Sequence, residues 1–114
     1  MKNAKNEIPL NPIVFSILQN LIGKTLHGYK IKKRVEADLD KAVPTATLYR
    51  HLRRMLEDGM LEEVEMDIED DDPRRQYFKL TMFGTAVYGA EYNRLREAVL
   101  KGPGPDGEPI STFV

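Results

Sequence analysis

Pro44 to Leu61, PTATLYRHLRRMLEDGML, is the stretch whose reading decides the fold. Leu48, Leu52, Met55 and Leu56 recur at helical spacing and make one apolar stripe. Thr45 is placed to cap the start, its hydroxyl taking an N–H that the first turn leaves without an intrahelical partner. Gly59 follows as a C-terminal breaker. On a wheel of about 100° per residue, Thr47, Arg50, Arg53 and Arg54 fall away from the stripe and Tyr49 lies on its flank. A helix apolar on one side, with Thr, Tyr and Arg on the other, suits insertion into a DNA major groove. Taken alone, the stretch reads equally well as an ordinary surface helix with solvated arginines.

Upstream, Asn11 as N-cap and Pro12 at the first helical position open a helix that Gly23 ends. Ile13, Val14, Phe15, Ile17, Leu18, Leu21 and Ile22 make it apolar over most of its surface. Such a helix must be largely buried, and part of it, Phe15 included, is expected to face a second subunit. A second helix is predicted from about His27 to Leu39, with Tyr29, Ile31, Val35 and Leu39 inward, Lys30, Lys33 and Arg34 outward, and Lys32 lateral. His27 falls near its start, where backbone N–H groups and the helix dipole favour a phosphate. A capping or packing role for His27 fits the same position.

Downstream, Met60 to Ile68 alternates Val64, Met66 and Ile68 with acids and reads as a half-buried strand. Arg75 to Leu80 alternates again, with Tyr77, Phe78 and Leu80 as apolar positions. Between them, Glu69-Asp70-Asp71-Asp72-Pro73-Arg74 is turn chemistry, so the two strands form a β-hairpin. Thr81 then caps a last helix in which Tyr88, Tyr92, Leu95 and Val99 follow a 4-3-4 spacing. That seam is too long for so small a body to cover, so a homodimer is predicted. Gly102 to Val114, GPGPDGEPISTFV, reads as a flexible tail.

The order helix, helix, helix, strand, strand, helix predicts an α+β, mostly α chain. The parts are an N-terminal arm (1–11), a winged helix-turn-helix of three helices and a two-stranded wing (12–81), a C-terminal dimerisation helix (82–101) and the tail (102–114).

The 114 residues fit one domain, and 41% hydrophobic with 31% charged marks it as globular. No apolar run reaches the roughly 18 residues that a membrane span needs. The start, MKNAKNEIPLNP, lacks a signal-peptide core, and there is no cysteine, so a cytoplasmic, nucleoid-associated protein is expected. His27 and His51 are the only histidines and stand without clustered partners, so neither a metal nor another cofactor is expected. The formal net charge is -1, but it is segregated. Residues 1–56 hold 11 bases and 4 acids, residues 57–73 hold 10 acids and no base, and residues 74–101 hold 6 bases and 2 acids. The local field rather than the total steers a polyanion, so a basic face on a neutral chain is allowed.

Four pieces of the chain then resemble the PadR family of transcriptional regulators. They are Leu26-His27-Gly28-Tyr29-Lys30-Ile31, Thr47-Leu48-Tyr49 with Leu52-Arg53-Arg54, Leu56-Glu57-Asp58-Gly59-Met60-Leu61, and Pro73 through Thr81 with Gly84. The resemblance covers about residues 12 to 90. It implies a dimeric DNA-binding repressor whose subunits pair through the C-terminal helix with help from the first. It also implies a third helix in the major groove and a wing on the DNA backbone or minor groove. Carried over by position, the DNA-facing candidates are His27, Thr47, Tyr49, Arg50, Arg74 and Arg75. The dimer candidates are Phe15, Tyr88, Tyr92, Leu95 and Val99.

Within that frame Arg50 and Thr47 are the base readers, and His27, Lys30, Tyr49, Arg74 and Arg75 hold phosphates of double-stranded DNA. Arg53 and Arg54 lie further along, where an inserted helix rises out of the groove. Two departures from the family stand out. Only one C-terminal helix fits before the tail and there is no Trp, which puts a small-molecule effector in doubt. Asp70-Asp71-Asp72 would repel phosphates, so Arg74 and Arg75 are expected to bind with these acids turned outward. The competing function is a winged-helix module that binds protein through the acidic hairpin. An enzyme finds no support in any nucleophile–base pair, Gly-rich phosphate loop or metal cluster.

Overall fold

Asn11 and Pro12 start the first helix, α1 (Pro12–Leu21), as their residue types dictate: the Asn11 side chain accepts the Ile13 N–H at 2.8 Å. The computed structural model describes residues 2–66, 72 and 74–108. The second helix, α2 (Gly28–Leu39), has His27 as its N-cap, with the Lys30 N–H donating to the ring. The third, α3 (Thr45–Glu57), starts one residue earlier than a Thr45 cap requires. Pro44 is the cap, with φ of -56°, and its carbonyl accepts the Leu48 N–H at 3.0 Å, so Thr45 is the first helical residue and caps nothing.

The turn between α2 and α3 is held by Glu36. Its Oε2 accepts the Val43 N–H at 2.9 Å and the Lys32 ammonium at 3.3 Å. The Val43 N–H above all, and then Lys32, keep this carboxyl below its ordinary range against the opposing effect of burial. Asp38 on α2 accepts from Ser16 Oγ and Asn20 Nδ2, both at 2.7 Å, which pins α2 to α1.

The predicted wing strands are present and shorter than the alternation suggests. They are β2 (Leu61–Val64) and β3 (Tyr77–Leu80), antiparallel, with Leu61 opposite Leu80 and Val64 opposite Tyr77. The Arg75 N–H bonds to the Asp72 carbonyl at 3.0 Å, a turn that takes residues 74–76 out of the ladder. Beyond Val64, Met66 is exposed, while Ile68, Glu69, Asp70 and Asp71 lie outside the described residues. A third strand, β1 (Leu26–His27), joins the free edge of β3, giving the order β1-β3-β2.

Ile17, Leu18, Leu21, Ile31, Val35, Leu48, Leu52, Met55, Leu61, Phe78 and Val87 meet in one core. Tyr29 does not join them: it is 58% exposed. It stands two residues before Ile31, about 200° away around the helix, so the inward placement predicted for it fails.

The last helix, α4 (Met82–Lys101), is capped by Thr81, whose hydroxyl accepts the Gly84 N–H at 3.0 Å. Its buried residues are Gly84, Val87 and Glu91, and from Tyr92 to Val99 every residue is exposed. The Cα radius of gyration is 16.2 Å, against about 13 Å for a compact chain of this length.

The N-terminal arm packs against the body. Ala4–Glu7 form a 3-10 helix against α4, and Ala4 and Leu10 pack on the core. The Leu10 N–H donates to Glu91 Oε2 at 2.6 Å, and Arg94 forks onto the same carboxylate. In the predicted tail, the Gly104 N–H bonds to the Glu108 carbonyl at 2.7 Å and the Gly107 N–H to the Gly104 carbonyl at 2.9 Å, while residues 109–114 lie outside the described part.

Glu91 is 2% exposed. Arg94 first, and the Leu10 N–H after it, outweigh burial and hold the carboxyl below its ordinary value of 4.5. The unfolded chain therefore takes up this proton more readily than the folded one. The contribution is present in full above the unfolded value and is lost as pH falls through the lower folded value. Glu91→Gln is expected to cost about 1–3 kcal/mol at pH 7. It is also expected to flatten the acid-side fall in stability, as read by urea denaturation at pH 7 and pH 4.

Candidate nucleic-acid interface

Leu48, Leu52 and Met55 anchor α3 in the core, and that burial decides which of its side chains face outward. Arg50, Arg53 and Arg54 are exposed, while Thr47 and Tyr49 are half-buried. Arg54 is tied to Asp58 one turn on, Nε to Oδ2 at 3.4 Å, at the end of the helix away from Thr47 and Arg50. Burial first, and the Arg50 charge second, hold His51 below its ordinary value of 6.5, so its ring adds no positive charge at pH 7.

Tyr49 reaches across to the start of α2. A β-carbon at Gly28 would lie 2.2 Å from the Tyr49 hydroxyl, so the ring holds this position only while residue 28 is glycine. Beside it, His27 Nδ1 accepts the Lys30 N–H at 3.2 Å, and the ring meets Tyr77 edge-on with centroids 5.5 Å apart. Its capping role is thus real, and it fixes the tautomer. With Nδ1 accepting, the neutral ring carries its proton on Nε2, which lies 3.5 Å from Arg75 Nη1.

His27, Tyr49, Arg74 and Arg75 line one groove of about 370 Å³ between the start of α2, α3 and the wing base, together with Gly28, Tyr29, Asp72 and Gln76. Lys30, Thr47 and Arg50 lie outside it. Tyr29 was missed as a site residue because its apolar ring was assigned to the core. It lines the groove with Lys33 Nζ 5.4 Å from its ring centroid. Asp72 also departs from expectation: its carboxylate is turned onto Arg74, not outward.

Between α1 and α4, Phe15 stacks on Tyr88 with centroids 5.3 Å apart, and Tyr88 leans on Tyr92 at 6.0 Å. Next to them is an open groove of about 360 Å³, lined by Phe15, Gln19, Tyr92, Leu95, Arg96, Val99 and Leu100. Tyr92 is 50% and Val99 49% exposed, which is a large apolar area to leave in water. Among the described residues no helix is long and apolar enough to cross a membrane, and no three His, Asp or Glu side chains gather as a metal site would require.

The sequence pattern of the family described as Transcriptional regulator PadR-like matches residues 17–90. The fold is similar to that of RosR from H. salinarum, in a solved complex of that protein, with a TM-score of 0.74 at 21% identity over 86% of this chain and 82% of that one. It is also similar to a PadR family transcription regulator from Clostridium difficile, with a TM-score of 0.67 at 23% identity over 77% of this chain and 91% of that one. A PadR-like transcription factor from Bacteroides fragilis gives 0.63 at 25% identity over 86% and 96%. No curated protein matches the sequence. The family pattern runs from the core of α1 through both helices of the helix-turn-helix and the wing into α4, so this chain belongs to the PadR-like family of transcriptional regulators, which are DNA-binding proteins and not enzymes.

Proposed function

We propose that the protein is a dimeric, sequence-specific repressor acting in the cytoplasm on a pseudo-palindromic operator. The observation that carries this is the groove joining His27, Tyr49, Arg74 and Arg75 beside the exposed face of α3. Residues 12–81 bind DNA, and 82–101 pair the subunits through Tyr88, Tyr92, Leu95 and Val99, with Phe15 of α1 beside them. An isologous pairing of that stripe makes the dimer two-fold, and a two-fold dimer predicts half-sites about one turn of duplex apart. Arg50 and Thr47 read base edges, while His27, Lys30, Tyr49, Arg74 and Arg75 hold phosphates. The proposal includes no small-molecule effector.

Two substitutions separate these roles. Arg50→Ala is expected to cost about 1–3 kcal/mol on the operator and to relax preference at one base pair of each half-site. Arg74→Ala is expected to weaken operator and random duplex alike, and to flatten the dependence of log K on log salt by about one unit per subunit. Titration of both duplexes at several salt concentrations reads both effects. Equal loss on every sequence for Arg50→Ala removes base readout from that side chain.

A further inference from the structure

Arg74 has an 89% exposed side chain, yet its guanidinium is engaged. Nε meets Asp72 Oδ1 and Nη2 meets Asp72 Oδ2, each at 3.2 Å, and the Arg74 backbone N–H donates to Oδ1 at 2.9 Å. This is the two-toothed arrangement by which a guanidinium grips any planar or tetrahedral oxyanion, phosphate included. The pair lies in the groove with His27 and Tyr49. The Arg74 side chain, then its N–H, hold the Asp72 carboxyl below its ordinary range, so it is charged at pH 7.

We propose that Asp72 is an internal competitor for DNA phosphate at Arg74, and that it sets the overall affinity of the wing without reading sequence. The inference rests on the DNA-binding reading above. A phosphate that engages both teeth of Arg74 must first displace the carboxylate. The displaced carboxylate then stands next to the phosphodiester and repels it. Every duplex meets the same obstacle, so Asp72 lowers affinity for specific and random DNA together. A weaker grip on random DNA shortens the time the protein spends on wrong sites.

The test is a double-mutant cycle on duplex binding at about 0.1 M salt, with an operator and a random duplex. Asp72→Asn removes the charge but keeps an oxygen able to accept the Arg74 N–H, and Asp72→Ser keeps a hydroxyl for the same bond. Both are expected to tighten binding to both duplexes by about three- to tenfold. Glu62→Gln removes an equal charge from the same wing, where Glu62 pairs with Lys79 at 3.2 Å. It is expected to change affinity less than twofold. In an Arg74→Ala background the Asp72→Asn gain should shrink to the Glu62→Gln level. A gain that persists without Arg74, or that Glu62→Gln reproduces, overturns the inference while DNA binding stands. Absence of duplex binding by the unaltered protein overturns the DNA-binding reading itself, and this inference with it.

Discussion

Gly84→Ala is expected to remove about 2–4 kcal/mol of stability. The added methyl would stand 2.1 Å from the Met60 carbonyl oxygen and 3.0 Å from its carbon. Both obstacles are backbone, so no rotamer change relieves the contact. The start of α4 must move away from the chain entering β2, and two bonds are strained together. One is the Thr81 N–H to Met60 carbonyl bond at 3.1 Å, the other the Thr81 cap on the Gly84 N–H at 3.0 Å. Overpacking costs about 1–3 kcal/mol and each lost bond about 1 kcal/mol. The better helix propensity of alanine returns about 1 kcal/mol. Against a total of about 5–15 kcal/mol, the net loss is large.

Gly89, on the same helix, has nothing within 4 Å of its would-be β-carbon. Gly89→Ala is therefore expected to be neutral or to stabilise by up to about 1 kcal/mol. Urea denaturation of the two variants at equal protomer concentration reads the contrast. Similar midpoints for both would show that the Met60 contact does not hold α4 in place.

The second large effect concerns the exposed half of α4. Leu95→Asp combined with Val99→Asp is expected to make the protein monomeric and to weaken operator binding by at least about 100-fold. Leu95 is 39% and Val99 49% exposed, so neither contributes much to the core of one chain, and far-ultraviolet circular dichroism should keep its helical amplitude. Four carboxylates facing each other across the two-fold axis cannot share an apolar seam. The affinity loss follows because the second half-site is then no longer bound intramolecularly. Sedimentation velocity gives the mass, and a duplex titration gives the affinity. A doubly substituted protein that remains dimeric places the interface elsewhere.

The helix-turn-helix was legible because burial and periodicity coincide there. The stripe Leu48, Leu52, Met55 is both the apolar repeat and the buried face. In α4 they do not coincide. The apolar repeat Tyr88, Tyr92, Leu95, Val99 is largely the exposed stripe. The stripe that packs on the body is Gly84, Val87, Glu91, with a glycine at one end and a charge at the other. Apolar spacing could not reveal it, because a close backbone approach and a paired carboxylate fill two of its three positions. Strand β1 is two residues long, too short for any period. Tyr29 was misplaced because an aromatic ring on an amphipathic helix looks like core. Asp72 was misplaced because a carboxylate in an acidic turn looks solvated, and its pairing with Arg74 two residues on is a property of the turn, not of the composition.

The central claim is that α3 and the wing of two paired subunits read a two-fold sequence. Selection of bound sequences from random duplexes by the purified protein tests it most directly. The expected result is enrichment of a pseudo-palindrome whose half-sites lie about one helical turn, or 34 Å, apart. Recovery of random sequence alone would contradict the claim and favour a protein-binding role for the acidic hairpin.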